Sequence, residues 1–106
     1  MEANELRVGN LVLDKFEKTF KVKEIHYNKK TKRYPIQLTG EWLLKFGFEK
    51  YEENESTDWY KREKFKVKLL KEKDIFILAI NRLHIKHVHQ LQNLYFALTG
   101  EELTIK

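Results

Sequence analysis

The chain has 106 residues, of which 42% are hydrophobic and 35% charged, with no cysteine and a net charge of +5. This length favours a single domain, and the apolar content argues against disorder. The lack of cysteine excludes disulfides, thiolate metal sites and cysteine nucleophiles, and favours a cytoplasmic location. The longest apolar stretch, Ile75–Ile80, is too short to cross a bilayer, and the first residues lack a secretory signal, so no membrane association is predicted.

The beginning of the chain is predicted to form a β-hairpin. Its strands are expected at Leu6–Asp14, entered through Gly9, and at Thr19–Tyr27, where apolar and basic residues alternate. Lys21 and Lys23 share one face of the second strand, so that face should be solvated. A further short strand is expected at Ile36–Leu38, after the only proline of the chain.

A short helix is predicted over Gly40–Phe46. Thr39 suits the N-cap, Glu41 lies in the first turn, where the helix dipole favours a carboxylate, and Gly47 suits a left-handed C-terminal cap. An acidic loop that would repel a polyanion is expected next, composed of Glu49, Glu52, Glu53, Glu55 and Asp58.

Three strands are predicted in the middle of the chain. Trp59–Arg62 and Lys64–Leu70 are the first two, and the second has alternating apolar and basic residues. Its solvated face is expected to carry Lys64, Lys66 and Lys68. Ile75–Ile80 is apolar at every position, which is typical of a central strand that is buried on both sides.

The last segment predicts an amphipathic helix over His87–Leu98. Its apolar residues recur at three- and four-residue spacing through Leu98, and Gly100 stands where the helix should end. The predicted fold class is therefore α+β: a mainly antiparallel sheet, an N-terminal hairpin, a short middle helix and a C-terminal helix packed on the sheet. Residues 1–38 would be a β-rich subregion of one domain over residues 1–106, and residues 39–106 would supply the rest.

No catalytic residue, cofactor or metal ligand is assigned from the sequence. There is no glycine-rich phosphate loop, no nucleophile elbow and no paired acidic motif. His84, His87 and His89 lie close together in sequence, but none of their spacings is the i, i+4 spacing that suits a metal site on a helix. The interpretation is a protein that is not an enzyme.

Two binding functions remain open. The first is protein interaction or self-association, for which Leu44 and Phe96 lie off the main apolar stripes of their helices. The alternative is nucleic-acid binding through the predicted lysine stripes at Lys21, Lys23, Lys64, Lys66 and Lys68. Aromatic residues that could stack on bases lie nearby, at Tyr27, Tyr34, Trp59 and Tyr60. Lysines on a strand face also serve solubility and block edge pairing, so the pattern alone does not decide.

Three segments carry a resemblance to a known family. They are the opening Asn4–Val12 (NELRVGNLV), the middle Pro35–Phe48 (PIQLTGEWLLKFGF) and the closing Val88–Leu103 (VHQLQNLYFALTGEEL). They resemble landmarks of a group of small proteins encoded in prophages and mobile elements of gut anaerobes. The resemblance implies an accessory protein of a mobile element and no particular activity. The opening also resembles, over a shorter stretch, the first hairpin of small β-barrel modules such as KOW or Tudor domains. This resemblance implies a hairpin of the small-barrel kind and a binding module.

Overall fold

The computed structural model describes residues 6–22, 33–80 and 82–105. Over these residues the chain is an α+β protein with one two-stranded and one five-stranded sheet. It divides into two compact units, each drawing on two stretches of sequence. The hairpin–helix unit comprises Met1–Gln37 and His87–Glu102, and the five-stranded unit comprises Leu38–Lys86 and Leu103–Lys106. The prediction of a single domain over residues 1–106 stays a prediction. Two compact units form one domain if they unfold together, and the division of the chain into units does not measure that.

The predicted N-terminal hairpin is present, and its first strand is shorter than expected. Strand β1, Leu11–Leu13, pairs antiparallel with β2, Thr19–Lys21. The residues before β1 form a turn in which the backbone N–H of Asn10 donates to the carbonyl of Arg7 at 3.0 Å. Gly9 has a φ of +96°, which is a left-handed conformation. The strand that was predicted to begin at Leu6 is therefore interrupted at Gly9, and β1 begins only at Leu11. The part of the second predicted strand beyond residue 22 lies outside the described residues.

The C-terminal helix agrees closely with its prediction. Helix α2, Val88–Thr99, begins after the N-cap His87 and ends at Gly100, whose φ of +77° is a left-handed cap. It packs against β1 within the hairpin–helix unit. Leu98 departs from the predicted apolar stripe, since 54% of its surface is exposed. The buried residues of α2 are Val88, His89, Leu91, Gln92 and Tyr95.

The prediction of a strand at Ile36–Leu38 is wrong. This segment makes only an isolated bridge, in which Gln37 pairs with His87. Within the same unit, the carbonyl of Ile36 accepts a hydrogen bond from the N–H of Val88 at 2.8 Å. The segment therefore uses its backbone groups at the start of α2, where a helix leaves its first N–H groups unpaired.

The middle helix is also confirmed. Helix α1, Gly40–Lys45, is capped by Thr39, whose hydroxyl accepts a hydrogen bond from the N–H of Trp42 at 3.3 Å. Gly47 has a φ of +88°, which turns the chain after the helix. Leu43 is fully buried, so the helix contributes to the core of the five-stranded unit.

The remaining strands form one antiparallel sheet in the order β3-β4-β5-β6-β7. Their bounds are β3, Glu49–Glu53; β4, Thr57–Arg62; β5, Phe65–Leu70; β6, Ile75–Leu78; and β7, His84–Ile85. Strands β4 and β5 are joined by a two-residue turn in which Glu63 takes a φ of +56°. One face of the sheet is buried, and its middle row consists of Tyr60, Val67 and Leu78.

The prediction of an acidic loop between Glu49 and Asp58 is wrong, because most of its acidic residues lie in strands. Glu49, Glu52 and Glu53 belong to β3, whose residues are all exposed. An edge strand with two solvated sides accepts charged residues at consecutive positions, so its sequence lacks the usual alternation. Asp58 lies in β4 and is only 6% exposed. Of the predicted loop, only Glu55 lies outside a strand.

The strand predicted at Ile75–Ile80 is shorter and less buried than expected. Strand β6 ends at Leu78, and Ile80 lies in the following turn with 81% of its surface exposed. The strand is next to the edge strand β7 rather than central. Burial alternates along β6, so the apolar run reflects one buried face and one half-buried face.

Candidate nucleic-acid interface

The face of the five-stranded sheet opposite the buried one carries basic and aromatic residues in neighbouring rows. Residues paired across antiparallel strands lie on the same face, so the register identifies each row. One row runs across all five strands as Glu52, Trp59, Lys68, Ile77 and His84. The row beside it contains Glu49, Lys61 and Lys66. We define the lysine–aromatic face as Tyr51, Trp59, Lys61, Lys66 and Lys68.

A β-bulge in β3 brings Tyr51 to this face. Lys50 pairs with Tyr60 and Glu52 pairs with Trp59, which leaves Tyr51 as the extra residue between two paired positions. The ring centroid of Tyr51 lies 6.4 Å from that of Trp59, and the two ring planes are inclined by 55°. The bulge thus sets two aromatic rings side by side on one face of the sheet.

The three lysines of the lysine–aromatic face lie over these rings. The Nζ of Lys68 is 5.0 Å from the centroid of Trp59. The Nζ atoms of Lys61 and Lys66 are 5.1 Å and 5.9 Å from the centroid of Tyr51. These are cation–π distances, and they hold three ammonium groups beside two aromatic surfaces. Phosphate groups bind to such cations and bases stack on such rings, which is the combination found in sequence-tolerant nucleic-acid binders.

Carboxylates border the lysine–aromatic face along β3. Glu49 pairs with Lys61 and Glu52 pairs with Trp59, so two exposed acidic residues stand at the sheet edge. The positive charge is therefore concentrated on β4 and β5. Lys64 is exposed in the turn between these two strands and extends the charge beyond their ends. The phosphates of a polyanion would follow β4 and β5 and stay clear of the Glu49 and Glu52 carboxylates on β3.

The phenol of Tyr51 stays neutral well beyond physiological pH. Burial raises the pKa of Tyr51 above 10.0, and the neighbouring Glu52 carboxylate raises it further. A raised phenol pKa means that the neutral form is favoured. The ring consequently adds no negative charge to the lysine–aromatic face.

The predicted lysines fall into three groups. Lys66 and Lys68 lie on the lysine–aromatic face, and Lys64 lies in the adjoining turn. Lys21 is exposed on β2 and belongs to the hairpin–helix unit. Lys23 lies outside the described residues. Lys61 was missed, because both faces of β4 carry charged residues and alternation alone does not show which face is solvated.

The aromatic residues proposed for stacking divide in the same way. Trp59 lies on the lysine–aromatic face, as that hypothesis requires. Tyr60 does not, because adjacent residues of a strand point to opposite faces and Tyr60 is 3% exposed on the buried one. Tyr34 is 43% exposed in the hairpin–helix unit, and Tyr27 lies outside the described residues.

An ion-pair cluster surrounds Asp58 in the five-stranded unit. The Nζ of Lys71 is 3.1 Å from Oδ1 of Asp58, and the Nζ of Lys50 is 3.7 Å from Oδ2. Glu53 contacts the same two lysines at 3.6 Å and 3.7 Å. Tyr60 raises the pKa of Lys50 most, Asp58 and Glu53 raise it further, and burial opposes them. The carboxylates expected to repel a polyanion are thus partly neutralised within the protein.

A second polar cluster joins the opening and closing segments of the chain. The guanidinium of Arg7 donates to Oδ1 of Asn93 at 2.7 Å and to Oε1 of Glu102 at 2.6 Å. It lies 4.5 Å from the ring centroid of Phe96, which it partly covers. Asn10, which is fully buried, donates to the same Asn93 oxygen at 2.9 Å. These groups bind one another, which is typical of a structural network.

The histidines make no metal cluster within the described ranges. In residues 6–22, 33–80 and 82–105, no three histidine or acidic side chains are grouped as metal ligands would be. The rings of His87 and His89 stack at 5.6 Å with an interplanar angle of 7°. His84 is exposed on β7.

Comparison with known proteins adds no relative to this description. No family model, curated protein or solved structure matches the chain. The resemblance to mobile-element proteins therefore stays a prediction. Neither helix of the described part is long and apolar enough to cross a membrane, and the longer one, α2, has 12 residues.

Proposed function

We propose that this protein is a non-catalytic nucleic-acid-binding module that uses the lysine–aromatic face. One observation carries the proposal: Lys61, Lys66 and Lys68 stand on the same solvated face as Trp59 and Tyr51. The lysines would contact phosphates, and release of the counterions condensed on the nucleic acid would drive association. The net charge of +5 supports the same class of partner.

Charge neutralisation with a matched control tests this proposal. The test variant replaces Lys61, Lys66 and Lys68 with glutamine, which keeps most of each side-chain stem. The control replaces Lys15, Lys18 and Lys73, which are exposed elsewhere, and has the same net charge. Binding to a labelled oligonucleotide is measured by fluorescence anisotropy over a range of salt concentrations.

The test variant should lose most of its affinity, and the control should lose much less. For the unmodified protein, the logarithm of affinity should fall with the logarithm of salt with a slope of about −2, as three phosphate contacts on a single strand predict. Equal losses in the two variants would refute the assignment of the face. Affinity that does not change with salt would refute nucleic-acid binding itself.

Protein interaction or self-association is the second candidate function. Leu44 on α1 is 53% exposed and Leu98 on α2 is 54% exposed, which leaves apolar surface for a partner. Light scattering at micromolar concentration tests self-association, and a Leu98→Ser variant should shift any dimer toward monomer. A monomer at all concentrations would reject self-association. The cytoplasmic location and the mobile-element role stay predictions from the sequence.

A further inference from the structure

We infer that the lysine–aromatic face binds unpaired nucleic acid rather than a duplex, with bases stacked on Trp59 and Tyr51. This inference rests on the proposed function and names the class of ligand. The two rings lie on the outer face of a sheet, and their centroids are 6.4 Å apart. Both rings retain exposed surface. Ring faces at such a surface are accessible to planar groups that arrive from solvent.

The form of the surface selects against a duplex. In a duplex the base faces are stacked on one another, and only their edges and the phosphates can be reached. Protein elements that read those edges are helices or two-stranded ribbons that enter a groove. Trp59 and Lys68 instead lie in the interior of a five-stranded sheet, on β4 and β5, and the sheet is too wide to enter a groove. A single strand can turn its bases outward and lay them on such a surface.

The lysines are placed to exchange partners when a base arrives. The ammonium of Lys68 stands over Trp59, and those of Lys61 and Lys66 stand over Tyr51. A cation–π contact at an exposed site is weaker than the stacking of a base on an aromatic ring. A base can therefore displace each ammonium from its ring, and the flexible lysine stem lets the displaced cation reach the adjacent phosphate.

The row through Trp59 continues with an apolar residue. Ile77 on β6 pairs with Lys68 and is half-buried, so it extends the apolar part of this face by one strand beyond β5.

An acidic peptide would also be attracted to the three lysines. It would not need the ring faces, however, and its affinity should be indifferent to whether position 51 or 59 is aromatic.

The experiment compares binding of one oligonucleotide sequence as a single strand and as a duplex. A labelled single strand of about 12 nucleotides, within the range of known site sizes, is titrated beside the same sequence in a hairpin duplex. Trp59→Leu and Tyr51→Leu remove one ring each, and Tyr51→Phe keeps the ring. Trp42→Leu is the matched control, because Trp42 on α1 is also half-buried and has the Nζ of Lys45 4.7 Å from its ring centroid.

The single strand should bind at least about tenfold more tightly than the duplex, and loss of either ring should weaken single-strand binding about tenfold. Tyr51→Phe and Trp42→Leu should bind like the unmodified protein. The chain has two tryptophans, so a Trp42→Phe variant reports on Trp59 alone, and its fluorescence should be quenched by the single strand. Tyr51 is on an edge strand, so its variants test the inference even if Trp59→Leu does not fold.

Each contrary result has a distinct meaning. Equal affinity for duplex and single strand, with no effect of ring removal and a clear effect of lysine neutralisation, would overturn the inference and leave the proposed function standing. Tighter binding of a polyglutamate peptide than of either nucleic acid would overturn both and indicate an acidic protein partner. Absence of binding to any oligonucleotide at low salt would overturn the proposed function itself.

Discussion

The side-chain Oε1 of Gln92 accepts a hydrogen bond from the backbone N–H of Leu11 at 2.8 Å, across 81 residues of sequence. Its Nε2 donates to the carbonyl of Gly9 at 3.1 Å. Gln92 is 2% exposed, so one side chain of α2 satisfies two backbone groups of the N-terminal segment away from water. This bridge links β1 and the residues just before it to α2.

Replacement of Gln92 by alanine should destabilise the protein by about 1–3 kcal/mol, because it leaves the buried N–H of Leu11 without its acceptor. Urea unfolding measures the loss, and hydrogen exchange at the Leu11 amide should accelerate. Gln37→Ala, at an exposed glutamine of the same unit, is the control and should change stability by less than about 0.5 kcal/mol. Similar losses in the two variants would contradict the bridging role.

Gly40→Ala should be destabilising although alanine favours helices. A Cβ at residue 40 would lie 2.5 Å from the hydroxyl oxygen of Tyr60 and 3.3 Å from the Cζ that bears it. We expect a cost of about 1–3 kcal/mol from this overlap. Gly40 is the first residue of α1, so the gain in helix propensity is smaller than the roughly 1 kcal/mol found in a helix interior and does not offset that cost.

Tyr60→Phe removes the hydroxyl, so the double variant of Gly40 and Tyr60 should recover part of the cost. A double-mutant cycle in thermal unfolding measures the coupling free energy, which should be at least about 0.5 kcal/mol. Strictly additive effects would show that the close approach does not limit residue 40.

Asp58→Asn should destabilise the five-stranded unit. The carboxylate is nearly buried and balances Lys50 and Lys71, whose Nζ atoms lie 3.7 Å and 3.1 Å away. Since both lysines are about one third exposed, the loss should be about 1–3 kcal/mol, below that of a fully buried ion pair. Chemical denaturation measures it, with the exposed Glu55→Gln as control. A loss no larger than that of Glu55→Gln would mean that the ion pairs contribute little.

Stability should decline at alkaline pH partly because of Tyr60. Burial raises the pKa of Tyr60 above its ordinary value of 10.0, with Asp58 and Glu53 raising it further and Lys50 opposing them. Above pH 10 the unfolded chain therefore loses this proton before the folded protein does. The unfolded state then binds fewer protons, so the free energy of unfolding falls as pH rises.

The check is the pH dependence of unfolding between about pH 9 and pH 11 in the unmodified protein and in Tyr60→Phe. The variant should show the shallower decline. The pKa of Lys50 is also raised, so Lys50 likewise lowers the free energy of unfolding as pH rises. Tyr60 is the main cause of that raised pKa, so Tyr60→Phe should reduce the contribution of Lys50 as well. Parallel curves for the two proteins would rule out Tyr60 as a source of the alkaline loss.

The helices could be predicted because their signals are local. Thr39 and Gly47 define the ends of α1, and Gly100 ends α2, each through contacts within one turn. The ends of strands depend on pairing partners elsewhere in the sequence. The apolar run at Ile75–Ile80 could not reveal that β6 ends at Leu78 or that its neighbour β7 is an edge strand.

The candidate site was predicted in part for a related reason. Alternation identified Lys66 and Lys68 as neighbours on a solvated face, and the structure pairs Lys68 with Trp59 and Lys66 with Lys61 on that face. Alternation alone did not say whether Trp59 or Tyr60 faces the solvent, because that depends on what covers the sheet. Tyr51 could not be assigned at all, since its position follows from a bulge that has no clear marker in the sequence.

The way in which the two units share the chain also sets the order in which each can be completed during synthesis. All five strands of the larger sheet are encoded between residues 38 and 86. The hairpin is made before this sheet, yet its unit requires α2, which is made after the sheet. Translation normally lets the N-terminal part of a protein fold first. Here β1 and β2 must wait for α2, while the five strands encoded between them have already been made.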